Sequence, residues 1–213
     1  MTYAEVKQRL QRAYDAKAGD RETMVDTQWK RDERERFAAT LRREGAVTLL
    51  EIGAGTGISG RYFADQGLDV VCTDLSPELV ERCRAKGLAA RVMDFGALEF
   101  PQRRFDAVFG MNCLLHVPRP DLDRVLESVR HVLAEGGLFY WGQYGRDRPF
   151  EGVYDGDDYE PKRFFSFLTD DQIQQAAVRY FTPVDFRRIP LSGSRWGYQA
   201  LVLRRGAGSD LSR

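Results

Sequence analysis

Cysteine and histidine are scarce in this chain of 213 residues, with three of the first and two of the second. Cys72, Cys83 and Cys113 are odd in number, lack CxxC spacing and have no histidine cluster beside them, which argues against a disulfide framework and a zinc site. Reduced thiols, and with them a cytoplasmic setting, are the expectation; no metal is expected. An excess of one charge is also lacking. Lys+Arg number 32 against Asp+Glu 32, so no global field would hold the chain on nucleic acid or anionic lipid. No apolar run reaches the roughly 18 residues of a membrane span. The opening MTYAEVKQRLQRAYDAK carries charge every few residues, where a signal peptide needs an apolar centre. What is present is 43% hydrophobic residues, enough to bury the core of one domain without staples.

Residues 2 to about 45 hold dense Arg and Glu with apolar positions at helical spacing, including Phe37 and Leu41. They read as two helices broken near Ala18-Gly19-Asp20. Val47 to Ile52 is a compact apolar run ending in glycines, as in a strand buried on both faces. Ile58 to Gln66 reads as a helix stopped by Gly67, and Leu68 to Thr73 as a second strand closed by Asp74. Ser76-Pro77-Glu78 opens the next helix with an N-cap and a proline at its first position, and Leu88 to Met93 gives a third strand. Phe105 to Gly110 is a fourth strand, Pro120 to Ala134 a long helix stopped by Gly136-Gly137, and Leu138 to Tyr144 a fifth strand. This alternation implies an α/β fold with a mostly parallel sheet and helices on both faces. Residues 145–168 interrupt it with a Gly-, Asp- and aromatic-rich stretch of a length that tends to be functional. A helix from Thr169 to about Tyr180 follows. Phe181 to Ile189 and Trp196 to Leu203 then read as a terminal antiparallel hairpin joined by a Pro/Gly/Ser turn. The tail 206–213 is small and polar and is expected to be flexible.

The segment LLEIGAGTG, Leu49 to Gly57, puts Gly53, Gly55 and Gly57 just after the first strand, where the backbone must turn sharply and come close to a ligand. Gly55 to Gly60 also fits the GxGxxG spacing of a dinucleotide fingerprint. In that register Gly53 already ends the strand, so Ile58 stands where the third glycine belongs. Glu51-x-Gly53-x-Gly55-x-Gly57 instead resembles the first motif of the class I S-adenosylmethionine-dependent methyltransferases. Asp74 after the second strand, Asp94-Phe95 after the third, and Phe105 to Asn112 followed by Cys113 to Val117 resemble the later motifs in order. The resemblance covers about residues 45 to 144. It implies a Rossmann-like seven-stranded sheet and binding of S-adenosylmethionine, with S-adenosylhomocysteine as product. Glu51 would face the ligand's ammonium group, Gly53, Ala54, Gly55 and Gly57 would form the loop, and Asp74 with Leu75 would meet the ribose hydroxyls. Asp94 and Phe95 would meet adenine, and Asn112 and Cys113 the methionine moiety. Taken singly, each acid also reads as a helix cap or a solvated turn residue.

Methyl transfer is an in-line displacement, so the protein's main tasks are alignment and exclusion of water, with a base needed only for a protonated acceptor. His116, just past the fourth strand, has an ordinary pKa suited to that base, and is also read as a structural histidine bonded to backbone. His131, late in the long helix, suits its C-terminus instead. Tyr14, Trp29, Trp141, Tyr144, Phe164 and Phe165 are candidates to wall a small acceptor, with core packing as the other reading of each. Residues 1–45 resemble the helical lids of small-molecule members, so the division is lid 1–45, binding domain 46–205 with substrate loop 145–168, and tail. Asp155, Asp157 and Asp158 read as a solvated loop or as recognition of a cationic or hydroxylated acceptor. Arg146, Arg148 and Arg195 could bind a carboxylate, although this chain spends arginine freely. Asn112-Cys113-Leu114-Leu115 lacks the Asn/Asp-Pro-Pro-aromatic block of nucleobase amino methylation, and no glutamate lies between Met111 and Arg119 to hold a guanidinium. The expected activity is methylation of an O or N atom of a small metabolite. A protein that binds S-adenosylmethionine without methylating, an RNA methyltransferase and a nicotinamide dehydrogenase are the alternatives. The sequence leaves oligomeric state open.

Overall fold

The computed structural model describes residues 1–191 and 196–206. Three helices come first: α1 (Tyr3–Ala16), α2 (Ala18–Glu22) and α3 (Gln28–Glu44). A capping box starts α1, in which Glu5 N–H donates to Thr2 Oγ1 at 3.3 Å and Thr2 N–H to Glu5 Oε2 at 2.7 Å. The predicted break at Gly19 is displaced. Gly19 lies inside α2, and the chain leaves helical geometry at Lys17 and again over residues 23–27. Gly ranks low as a helix former but is tolerated where a turn is this short.

Alternation follows through β1 (Thr48–Ile52), α4 (Ile58–Asp65), β2 (Asp69–Asp74), α5 (Pro77–Ala85), β3 (Ala89–Val92), β4 (Phe105–Met111), α6 (Arg119–Val132) and β5 (Leu133–Gly145). Ser76 caps α5 by accepting from Leu79 N–H at 3.1 Å, with Pro77 at the first position. α6 ends at Val132, and the predicted glycine stop belongs to the irregular start of β5. Leu133 already pairs with Phe105, and Gly136, at φ 74°, sits where the register shifts before Leu138 meets Ala107.

The stretch 145–168 is not a structureless loop. It carries a hairpin of β6 (Phe150–Val153) and β7 (Phe164–Phe167), closed by Phe165 stacked on Phe167 and by Tyr154. α7 (Asp170–Val178), β8 (Thr182–Pro190) and β9 (Gly197–Arg204) complete the chain. The turn and Arg195 between these last strands, and the tail beyond residue 206, lie outside the described residues.

The main sheet has seven strands in the order β3-β2-β1-β4-β5-β9-β8. The first five are parallel, and β9 inserts antiparallel between β5 and β8. This is the expected Rossmann-like sheet with its terminal antiparallel hairpin. Each central strand is buried on both faces. Val108, Phe139 and Trp141 face a core shared with α1, α6 and α7, whereas Phe109, Leu138 and Tyr140 face one shared with α3, α4 and α5. The N-terminal helices therefore belong to the layers: Val6 and Leu10 enter the first core, and Phe37 and Leu41 the second. An ion pair of Glu33 with Arg187 and a bond from Tyr140 Oη to Glu33 at 3.1 Å tie α3 to the sheet beneath. Among the described residues no helix is long and apolar enough to cross a membrane.

Phe37 is 1% exposed and contacts Phe63, Phe109 and Tyr140 at centroid distances of 6.2, 5.8 and 5.5 Å. Phe37→Ala is expected to lower unfolding free energy by about 3–5 kcal/mol in urea titrations, through lost transfer energy and an unfilled cavity. A loss below about 1 kcal/mol would mean that α3 is not packed this way.

Candidate functional site

At the C-terminal ends of β1, β2 and β4 the sheet opens into a cavity of about 390 Å³, where open α/β sheets place ligands. Its floor is the turn after β1. Gly53 and Gly55 adopt φ of 61° and 58°, and a side chain on Gly53 would begin 2.4 Å from Cys113 Cβ. Only glycine fits between these two segments. Gly57 lies off the cavity. It takes φ 80° at the start of α4, and a Cβ there would press on Leu88 and Cys83, so its role is packing of helix against strand.

Asp74 fixes the turn from the side. Its carboxylate accepts from Gly55 N–H at 2.8 Å and Ser76 N–H at 3.0 Å, and burial raises its pKa despite these bonds. Glu51 is 4% exposed and bonded to the Cys72 thiol and the α4 backbone, and burial pushes its carboxyl up to about 8 despite the charge of Arg34. Near neutrality it is a protonated acid. Asn112, at φ 58°, has a buried side-chain oxygen with no hydrogen-bond partner. An orphaned acceptor in the same cavity as a desolvated carboxyl is a place for a ligand's cationic donor. Ala54, Leu75, Phe95 and Cys113 also line this end. Asp94 does not. Its side chain turns to Lys7 Nζ at 2.5 Å and to Gly96 N–H at 2.8 Å, leaving Phe95 at the wall.

The other end is aromatic and hydrogen-bonded. Tyr14, Tyr144 and Phe165 line it together with Leu115, Met111 and His116. His116 Nδ1 lies 2.7 Å from the Phe164 carbonyl, so that nitrogen carries the proton. Nε2 is then an acceptor and takes the Tyr14 hydroxyl at 2.7 Å. Arg163 donates to the same hydroxyl at 3.0 Å and is held by Asp157 through an ion pair of 2.6 Å. Burial, followed by the charge of Arg163, drives the His116 pKa down to about 3. Sequence reasoning gave this ring an ordinary pKa; as the fold holds it, it is a neutral acceptor with both nitrogens engaged.

Three predicted wall residues lie elsewhere. Trp141 is wholly buried, on the face of β5 opposite Tyr140, with Nε1 donating to Gln143 at 2.9 Å. Phe164 points into the first core and offers the site only its carbonyl. Trp29 packs on Tyr198 and Tyr144 at 4.5 and 6.2 Å and stands behind the wall. Of the candidate arginines, Arg146 lies over the Trp196 ring, and neither it nor Arg148 lines the cavity. In the acidic run Asp157 orders Arg163, and Asp158 reaches the rim. Sequence reasoning missed Arg21, Lys30, Tyr159 and Arg163, which line the same cavity. Nothing in a chain with 32 basic residues marks the three cations among them apart. Among the described residues no group of three or more metal-ligating side chains comes together.

A family model described as a methyltransferase domain matches residues 49–137. A demethylmenaquinone methyltransferase of Tropheryma whipplei is 31% identical over 157 residues, 69% of this chain and 62% of that protein. A ubiquinone/menaquinone biosynthesis C-methyltransferase of Acidiphilium cryptum is 31% identical over 162 residues, 67% of this chain and 61% of that protein. The chain thus spans about three fifths of the length of these two relatives. In fold it resembles the Burkholderia thailandensis 1,6-didemethyltoxoflavin-N1-methyltransferase, whose structure holds 1,6-didemethyltoxoflavin and S-adenosylhomocysteine. The TM-score is 0.75 at 22% identity, over 97% of this chain and 91% of that one.

The Glu51 environment makes a pH prediction. A carboxyl raised by burial to about 8, against about 4.3 unfolded, gives stability that is whole below pH 4 and lost as pH rises through 8. Relative to Glu51→Gln, the ligand-free protein is expected to lose unfolding free energy as pH rises from 5 to 8, a difference in which the opposite contribution of the lowered His116 pKa cancels. Identical slopes in the two proteins would place the Glu51 carboxyl in water.

Proposed function

The chain belongs to the class I S-adenosylmethionine-dependent methyltransferase family, and from that premise we propose that it methylates an oxygen or nitrogen atom of a small molecule. The observation that carries this reading is that Glu51, Asp74 and the orphaned Asn112 oxygen open into the same cavity as the aromatic, hydrogen-bonded end. Bound at the first end, S-adenosylmethionine would supply a methyl group activated by its sulfonium. The glycine turn lets backbone come against the ligand without side-chain interference. Asp74 has lone pairs left for two vicinal hydroxyls. Glu51 and Asn112 offer oxygen acceptors to an ammonium group, and that cation would favour the ionised Glu51.

At the second end the residues align and exclude water. Leu115, Met111 and Phe165 form apolar walls, and Tyr144 closes one side. His116 serves as a positioning residue, because its acceptor nitrogen aims the Tyr14 hydroxyl. The segment 14–30 and the β6–β7 hairpin cover the opening, and the Tyr14–Arg163 bond joins them. Relatives that methylate carbon keep that atom type as an outcome of the test, as does a protein that holds the cofactor without methylating.

Incubation with S-adenosylmethionine and pooled small phenols, enols and heteroaromatic amines is expected to yield S-adenosylhomocysteine only when an acceptor is present. Saturable binding with no product from any pool would favour the non-methylating reading. Asp74→Asn is expected to weaken S-adenosylmethionine binding about ten- to a hundredfold, through loss of charge-assisted bonds to the ribose. Unchanged affinity would remove that assignment.

A further inference from the structure

Four cations line the cavity, two of them without an ion-pair partner among the described residues, and its acceptor end has no base. Arg163 is matched by Asp157, and Arg34 by Asp26. Arg21 and Lys30 have no carboxylate at ion-pair distance among the described residues. Arg21 donates to Tyr159 Oη at 2.9 Å, and its Nε is buried without a partner. Its guanidinium lies 5.1 Å from the Tyr14 ring centre, and that of Arg163 lies 3.5 Å from the Tyr159 ring centre. Two cations thus flank the pair of tyrosines beside His116. Burial and Arg21 lower the Lys30 pKa, a sign of positive charge crowded into a poorly solvated site.

The acids do not offset this. Asp74 bonds the backbone of Gly55 and Ser76 and favours the Arg21 charge only from beyond ion-pair distance, Glu51 sits by the Cys72 thiol at the glycine end, and Asp158 is exposed at the rim. His116 takes its hydrogen bond from Tyr14, and the Arg163 and Arg21 charges oppose its protonation. The same field that disfavours an imidazolium favours an anion in that place.

We infer that the acceptor is a planar, weakly acidic compound, a phenol, enol or heteroaromatic N–H acid, bound as its anion against the Arg21–Tyr159–Arg163 edge. This rests on the methyltransferase reading. The acceptor gives its proton to water before or during entry. Its O⁻ or N⁻ lone pair then forms the bond to the methyl carbon, and the methyl–sulfur bond breaks with its electron pair left on sulfur. No proton moves inside the cavity, so a neutral His116 suffices. The tyrosine rings and Phe165 stack on a planar acceptor, and the guanidiniums supply the countercharge that an apolar cavity would lack.

The test uses the whole protein with saturating S-adenosylhomocysteine and 4-nitrophenol, whose phenolate is coloured, at a pH one unit below the phenol's pKa. Free probe is then about a tenth ionised, and a pKa lowered by about one unit in the site would raise the bound fraction to about a half. A roughly fivefold gain in phenolate absorbance per bound probe is expected. Arg21→Gln is expected to remove most of the gain, and Arg21→Lys to keep part of it. Probe that binds in its protonated form, or fails to bind at millimolar protein, overturns the anion assignment while leaving the cofactor reading intact. Failure of S-adenosylhomocysteine itself to bind would remove both.

Discussion

Between the end of β1 and Cys113 there is no room for one methyl group: a Cβ on Gly53 would lie 2.4 Å from that of Cys113. This close approach brings the β1 turn against the segment after β4, and the remaining site geometry depends on it. The parallel pairing of β1 with both β2 and β4 presents the turn and Asp74 at one edge. Asp74 then grips Gly55 N–H and sets the left-handed residues that expose the backbone. A larger residue at position 53 would separate the two segments and open the floor of the cavity.

Burial gives the two ends of that cavity different electrostatic character. At the glycine end desolvation raises both carboxyl pKa values, to about 8 at Glu51, and a cationic ligand there would favour the ionised forms. At the aromatic end burial and two guanidiniums keep His116 neutral, and the Tyr14 hydroxyl is fixed between it and Arg163. Under the proposed reading one end takes a cation and the other an electron-rich group, as a reaction between a sulfonium and a nucleophile would use.

The strands, the helices between them and the glycine turn that floors the cavity were legible in sequence because their signals are local. Glycines at a strand end, an acid closing the next strand and Ser-Pro at a helix start each act within a few residues. The misplacements came from partners far along the chain. Asp94 is drawn away by Lys7, 87 residues earlier, and His116 loses basicity to burial and to Arg163, which outweigh the opposing bond to the Phe164 carbonyl. Trp141 and Tyr144, read together as walls, differ by an odd number along one strand and so point to opposite faces. The β6–β7 hairpin was hidden because aromatics spaced for a small sheet look the same as those of a binding loop. Arg21 and Arg163 acquire meaning only when the fold brings them to the same two tyrosines.

The central claim is that the glycine turn and the strand-end acids hold a sulfonium nucleoside, not a dinucleotide. Calorimetric titration of the protein with S-adenosylmethionine, S-adenosylhomocysteine and NADH, each alone, tests it most directly. Saturable binding of the two sulfur ligands at one site, and none of NADH, is expected. Saturation by NADH without binding of either sulfur ligand would contradict it.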